Sequence, residues 1–227
     1  MINFNTDNII IVCYPPNAGG KFLINCLGLS DNAVFQSSCL ADMQLNLSFS
    51  QSDKINYLTS QLNKITNKWN DLNLGCRQLF GIENYTYFTI LPENLKLGAF
   101  NPIISKLSHT NIKFFLVAHS TTTLDRYLNI WPNAKIIIFD NCTKFINYRS
   151  RSTYTLIELR TNKYRNTIKK YADHATYWDT NQYFSESDTI NGIKKLYELY
   201  NLNNFNTKII EQYYRSWISK LVEITQK

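Results

Sequence analysis

The chain has little glycine and proline, 7 and 5 of its 227 residues, and no cysteine pair of the CxxC type. Its five cysteines, Cys13, Cys26, Cys39, Cys76 and Cys142, are odd in number, which argues against a closed disulfide framework. The three histidines, His109, His119 and His174, lack metal-ligand spacing with one another or with the cysteines, so no metal site is expected. No segment is apolar for long enough to span a bilayer, and the first residues lack the basic-then-apolar pattern of a signal peptide. The expectation is a soluble, cytoplasmic protein.

What is present is a large apolar fraction, 44% with 14% aromatic, enough for a sizeable core in one domain. The formal charge of +7 is unevenly placed. Up to residue 140 there are 10 Lys and Arg against 9 Asp and Glu; from 141 onward there are 14 against 8. Most of the excess falls in 144–170, where Lys144, Arg149, Arg151, Arg160, Lys163, Arg165, Lys169 and Lys170 face only Glu158. Such a cluster fits either an anionic ligand or a solvated helix face.

Continuous β-branched runs at 8–14 and 134–140, with strand-like stretches at 86–91 and 112–119, predict strands covered on both faces. Apolar residues at helical spacing predict helices after Gly20 and over 52–74, 121–132, 143–150, 158–172, 187–200 and 205–225. Ser52 or Asp53 is the expected N-cap of the second. The aromatic stretch "ATYWDTNQYF" reads as irregular. Alternating strands and helices predict an α/β domain over 1–227, a mainly parallel central sheet flanked by helices, with a helical, basic part from 143. Ligands of such sheets bind beyond the carboxyl ends of the strands, so 14–21, 119–123 and 140–151 are the stretches to examine.

The first of these, "CYPPNAGGKF" (13–22), has the parts of a phosphate-binding loop: a strand, a turn of proline and glycine, a lysine, and a helix whose positive end faces the turn. An ordinary strand-to-helix turn is the bland alternative. A loop that cleaves a β–γ phosphate bond carries Ser or Thr after the lysine to hold Mg²⁺, and here that residue is Phe22. Sulfuryl transfer, which needs no metal, suits such a loop.

These residues resemble the cytosolic-type sulfotransferases, whose phosphosulfate loop reads roughly TYPKSGTTW. "FLVAHSTTTLDRYLNIWPNAKIIIF" is similar to the family's histidine-ended strand, short helix and AKIIY strand, and "INGIKKLYELYNL" is more loosely similar to its C-terminal helices. The resemblance spans most of the chain and implies a three-layer P-loop-like fold. It implies transfer of a sulfuryl group from 3′-phosphoadenosine 5′-phosphosulfate to an acceptor hydroxyl, with His119 as general base. The donor would be held by Pro16, Asn17, Ala18, Gly19, Gly20, Lys21 and Phe22. The family's loop lysine aligns with Asn17 and its lysine before the histidine with Val117, so Lys21 would supply the catalytic charge instead. Its 3′-phosphate pair aligns with Asn141 and Arg149, with Arg151 a further candidate. Ser120 and Thr121 would orient a ligand or cap the following helix.

Two other readings stay open. "KIIIFD" ends in Asp140, which with Lys21 would suit a Mg²⁺-dependent P-loop kinase or NTPase. A degenerate domain that binds an anion through its basic helices is the third. Nucleic acid is not the expected partner, since the interleaved tyrosines serve equally as core. The acceptor and the oligomeric state are not readable.

Overall fold

The computed structural model describes residues 6–15, 18–34, 50–64, 113–118, 121–149, 164 and 169–226. It is an α/β structure. Among the described residues, five strands, β1 (Ile9–Cys13), β2 (Ala33–Val34), β3 (Lys113–Ala118), β4 (Lys135–Asp140) and β5 (Ala175–Asp179), form one sheet in the order β2-β3-β1-β4-β5. Every pairing is parallel. The most apolar run is thus the middle strand: all five β1 residues are buried, as expected of a strand covered on both faces.

The two-residue period of a strand divides the core. Ile10, Val12, Ile137 and Phe139 face one apolar cluster, with α1 (Gly20–Gly28), α2 (Gln51–Lys64), α4 (Cys142–Arg149), α5 (Glu186–Leu199) and α6 (Thr207–Gln226). Ile9, Ile11, Cys13, Ile136 and Ile138 face the other, with Leu124, Tyr127 and Trp131 of and just beyond α3 (Thr121–Ile130) and with Tyr164. Among the described residues, no helix is long and apolar enough to cross a membrane.

The structure corrects three local readings. The stretch expected to be irregular is β5 followed by a 3-10 helix, Thr180–Phe184. Thr176, Tyr177 and Trp178 are good strand formers, but five residues at a sheet edge carry no periodic signal. The expected helix over 158–172 gives way at its end to a 3-10 helix, Lys169–His174. The N-cap of α2 is Ser50: its Oγ accepts from the Asp53 N–H at 3.2 Å, and the Asp53 carboxylate accepts from the Ser50 N–H at 3.0 Å, a reciprocal capping box. The strand expected at 86–91 and the helix beyond 64 lie outside the described residues.

Candidate functional site

The segment between β1 and α1 leaves the sheet at its centre. Cys13 pairs with Ala118 of β3 on one side and Ile138 of β4 on the other, and the Tyr14 N–H donates to the Ala118 carbonyl at 3.0 Å. The Ala18 N–H closes a turn onto the Pro15 carbonyl at 3.2 Å. Gly19, the N-cap of α1, has φ 81°, a left-handed conformation that costs a residue with a side chain. A Cβ on Gly19 would lie 2.7 Å from the Tyr183 ring, and one on Gly20 would lie 2.2 Å from the Tyr14 ring. Gly19 is therefore required by backbone conformation and by packing, and Gly20 by packing.

Helix α1 begins with no side chain capping its first turn, so its positive end is directed at the loop. Lys21 is half-buried in that turn, and Ala18 is fully buried. Phe22 departs from expectation. Its ring is 2% exposed and stacked on Trp217 (centroids 4.0 Å, planes 15° apart) and Tyr213 (5.5 Å, 12°). Its N–H donates to the Gly19 carbonyl at 3.0 Å. Phe22 is thus core, not a ligand contact, because residue 22 faces inward from α1 and the α6 aromatics meet it there.

Asn141 follows β4 in a left-handed conformation, φ 51°. Its N–H donates to the Asp140 carboxylate at 2.7 Å, and its carbonyl accepts from Thr180 Oγ1 at 2.8 Å. Arg149 ends α4, so the two residues expected to share a phosphate stand at opposite ends of a helix about 12 Å long. Pro16, Asn17, His119, Ser120 and Arg151 lie outside the described residues. What the fold does gather at the carboxyl edge of the sheet is the loop, the end of β3, Asp140 and Asn141, and the first turns of α4. The Phe145 ring of α4 lies 3.0 Å from where a Gly19 Cβ would be.

Of the basic cluster, Lys144, Lys169 and Lys170 are exposed. Lys144 Nζ lies 4.4 Å from the centroid of the half-exposed Phe184 ring, and Lys170 pairs with Asp125 at 2.7 Å. That exposed ion pair contributes little to stability. Among the described residues, no group of three or more His, Cys, Asp or Glu is placed to hold a metal ion.

The buried ionisable groups near the loop are held in their neutral forms. Burial pushes the Cys13 thiol up to about 12 and raises Cys26, Tyr183 and Tyr164 as well; the Tyr164 hydroxyl donates to the Cys13 carbonyl at 2.6 Å. Cys13 and Cys26 are accordingly not nucleophiles at neutral pH. A raised native pKa contributes stability that is complete below the unfolded value and lost as pH rises through the native one. Unfolding midpoints in urea are expected to fall from about pH 9 upward as thiols and then tyrosines ionise in the unfolded chain. A midpoint that stays level to pH 10.5 would contradict this.

Protein-family models, curated proteins and solved structures contain no match to this chain. Function is thus argued from the site alone. Sequence reasoning included Tyr14, which covers Gly20, and Phe145 in the stretches to examine but gave neither a role, and it missed Tyr183, whose hydroxyl donates to the Gly19 carbonyl at 3.1 Å. Tyr183 is 164 residues from Gly19, and no local pattern announces it.

Proposed function

We propose that the chain is a sulfotransferase-like enzyme of P-loop-like fold. The reaction is transfer of a sulfuryl group from 3′-phosphoadenosine 5′-phosphosulfate to an acceptor hydroxyl. The observation that carries the reading is a glycine turn leading into an uncapped helix end, at the carboxyl end of the central strand of a parallel sheet, with a core phenylalanine after its lysine. Backbone N–H groups and the helix end favour the donor's phosphosulfate. His119 takes the proton of the acceptor hydroxyl as that oxygen attacks sulfur. The bond from sulfur to the 5′-phosphate oxygen breaks, and adenosine 3′,5′-bisphosphate leaves. Lys21 stabilises the charge that grows on the bridging oxygen. Ala118, the residue before His119, pairs with Cys13 at the end of β1, which supports the reading of His119 as the base. The separation of Asn141 from Arg149 favours arginine alone, Arg149 or Arg151, as the 3′-phosphate ligand.

The residues do not fit a phosphate-bound Mg²⁺. Phe22 offers no hydroxyl, and the Asp140 carboxylate accepts from the N–H of its own neighbour. Calorimetric titration with adenosine 3′,5′-bisphosphate and with ATP, each with and without Mg²⁺, tests the reading. Metal-independent binding of the bisphosphate with weak ATP binding is expected. Mg²⁺-dependent ATP binding would replace this reading with a kinase, and binding of neither would remove the nucleotide site. Lys21→Ala is expected to weaken bisphosphate binding roughly 10-fold or more, the size of a lost charge-assisted hydrogen bond. His119→Ala should leave that affinity unchanged while transfer is lost.

A further inference from the structure

We infer that Tyr183 is a positioning residue for the anion-binding loop: through the Gly19 carbonyl it sets the direction of the Gly20 N–H. The inference rests on the reading of that loop as a phosphate site. Among the described residues, the Gly19 oxygen receives three donors, the Tyr183 hydroxyl at 3.1 Å, the Phe22 N–H at 3.0 Å and the Leu23 N–H at 3.4 Å. The last two come from the helix itself and are present at any helix start. The Tyr183 hydroxyl is the one supplied from outside, by the 3-10 helix that follows β5.

In a trans peptide the N–H points opposite to the carbonyl. A carbonyl held toward the helix by three donors therefore holds the N–H of the buried Gly20 pointing back out of the helix N-terminus, toward the loop. Tyr183 is itself closely packed. It is fully buried, and its ring packs on Phe145 (4.9 Å), Trp217 (5.2 Å), Phe22 (5.5 Å) and Trp178 (5.6 Å). Its carbonyl accepts from the Tyr214 hydroxyl at 2.9 Å. The ring edge also occupies the space a Gly19 side chain would need, so the left-handed conformation and the hydroxyl contact come as one unit. The packing thus joins the loop to α6 through side chains fixed in place, which is how a binding group is held within a fraction of an ångström.

The test compares Tyr183→Phe with Tyr197→Phe. Each removes one buried hydroxyl that donates to a backbone carbonyl of the α1 segment, Gly19 for Tyr183 and Cys26 for Tyr197, and only the first touches the loop. Unfolding midpoints are measured alongside affinity for adenosine 3′,5′-bisphosphate and the Gly20 amide signal in a 15N-labelled sample. The expected result is a similar small loss of stability in both, with an affinity loss of about 10-fold and a shifted Gly20 amide only in Tyr183→Phe. Wild-type affinity in Tyr183→Phe, or an equal loss in both variants, overturns the inference. Should the wild-type protein bind no bisphosphate, the functional reading fails by itself, and an unshifted Gly20 amide in Tyr183→Phe would then overturn the positioning role too. If Tyr183→Phe does not fold, wild-type affinity in a folded Phe145→Leu variant, which loosens the Tyr183 ring, overturns it.

Discussion

Replacing Phe22 with threonine, the residue type a magnesium-dependent loop carries there, is expected to destabilise the protein by about 3–5 kcal/mol and to create no metal site. The ring is 2% exposed and sandwiched against Trp217 and Tyr213, with Tyr183 and Tyr214 edge-on. Deleting it leaves a cavity in an aromatic cluster that several elements share, so collapse from one side cannot fill it. The new hydroxyl would sit among apolar rings, at a further cost of about 1–3 kcal/mol if it found no partner. Phe22→Leu, which keeps most of the volume, should cost well under half as much. Urea unfolding of both variants measures the difference. Undiminished stability in Phe22→Thr, together with new Mg²⁺-dependent nucleotide binding, would show that this position belongs to the site and not to the core.

Lys54→Met is expected to cost about 3 kcal/mol, the scale for removing one partner of a buried charged contact. Lys54 is 1% exposed, unusual for a lysine, and its ammonium donates to the carbonyls of Gly28 (2.9 Å), Ser30 (2.5 Å) and Ala33 (3.0 Å). The Gly28 carbonyl is at the C-terminus of α1, where positive charge is favoured. The loop is at the other end of the same helix, so Lys54 secures α1 from behind. Methionine keeps the length of the stem and takes a donor away from three carbonyl oxygens, of which that of Ser30 still accepts from the Ala33 N–H. Burial lowers Lys54 to about 8 from 10.5. Below pH 8 it is charged in both states and its contribution is level. Between 8 and 10.5 the unfolded chain binds more protons, so the wild-type advantage over Lys54→Met should widen with pH. A constant difference across that window, or a loss under 1 kcal/mol, would mean the contact is incidental.

The same end of the molecule shows why a polar sequence is not always a functional one. Ser30 Oγ accepts from the Asn203 N–H at 2.8 Å, Asn32 Nδ2 donates to the Asn201 carbonyl at 2.9 Å, and Gln51 Nε2 donates to the carbonyls of Leu29 and Asn204. Asn201 and Asn204 both have positive φ, 52° and 55°, which asparagine tolerates better than most residues. These asparagines join the α1–β2 turn to the α5–α6 turn.

Much of the architecture was legible before any coordinates. The run Ile9–Cys13 had to be a doubly covered strand, because five consecutive apolar residues leave no face for water. The loop followed from glycine and proline placed between that strand and a helical pattern. Helices α3 to α6 came from spacing that local geometry imposes. Each of these rests on interactions within a few residues, and the chain encodes those directly.

The tertiary structure decided the rest. Phe22 looked like a member of the loop until α6 supplied the rings that claim it. Tyr183 was one tyrosine of 15, and an edge strand with no periodicity carries it back to Gly19. Lys54 lies on a helix whose spacing marks it only as one polar residue among several. Its role comes from the three carbonyls, of Gly28 at the end of α1 and of Ser30 and Ala33 beyond it, that close around it. In all three, the partner lies far along the chain, and a side chain's role there depends on which groups folding brings within a few ångströms. The sequence alone determined where the strands, helices and turn would form; only packing determined which of their side chains would be core, which would be support, and which would be left to meet a ligand.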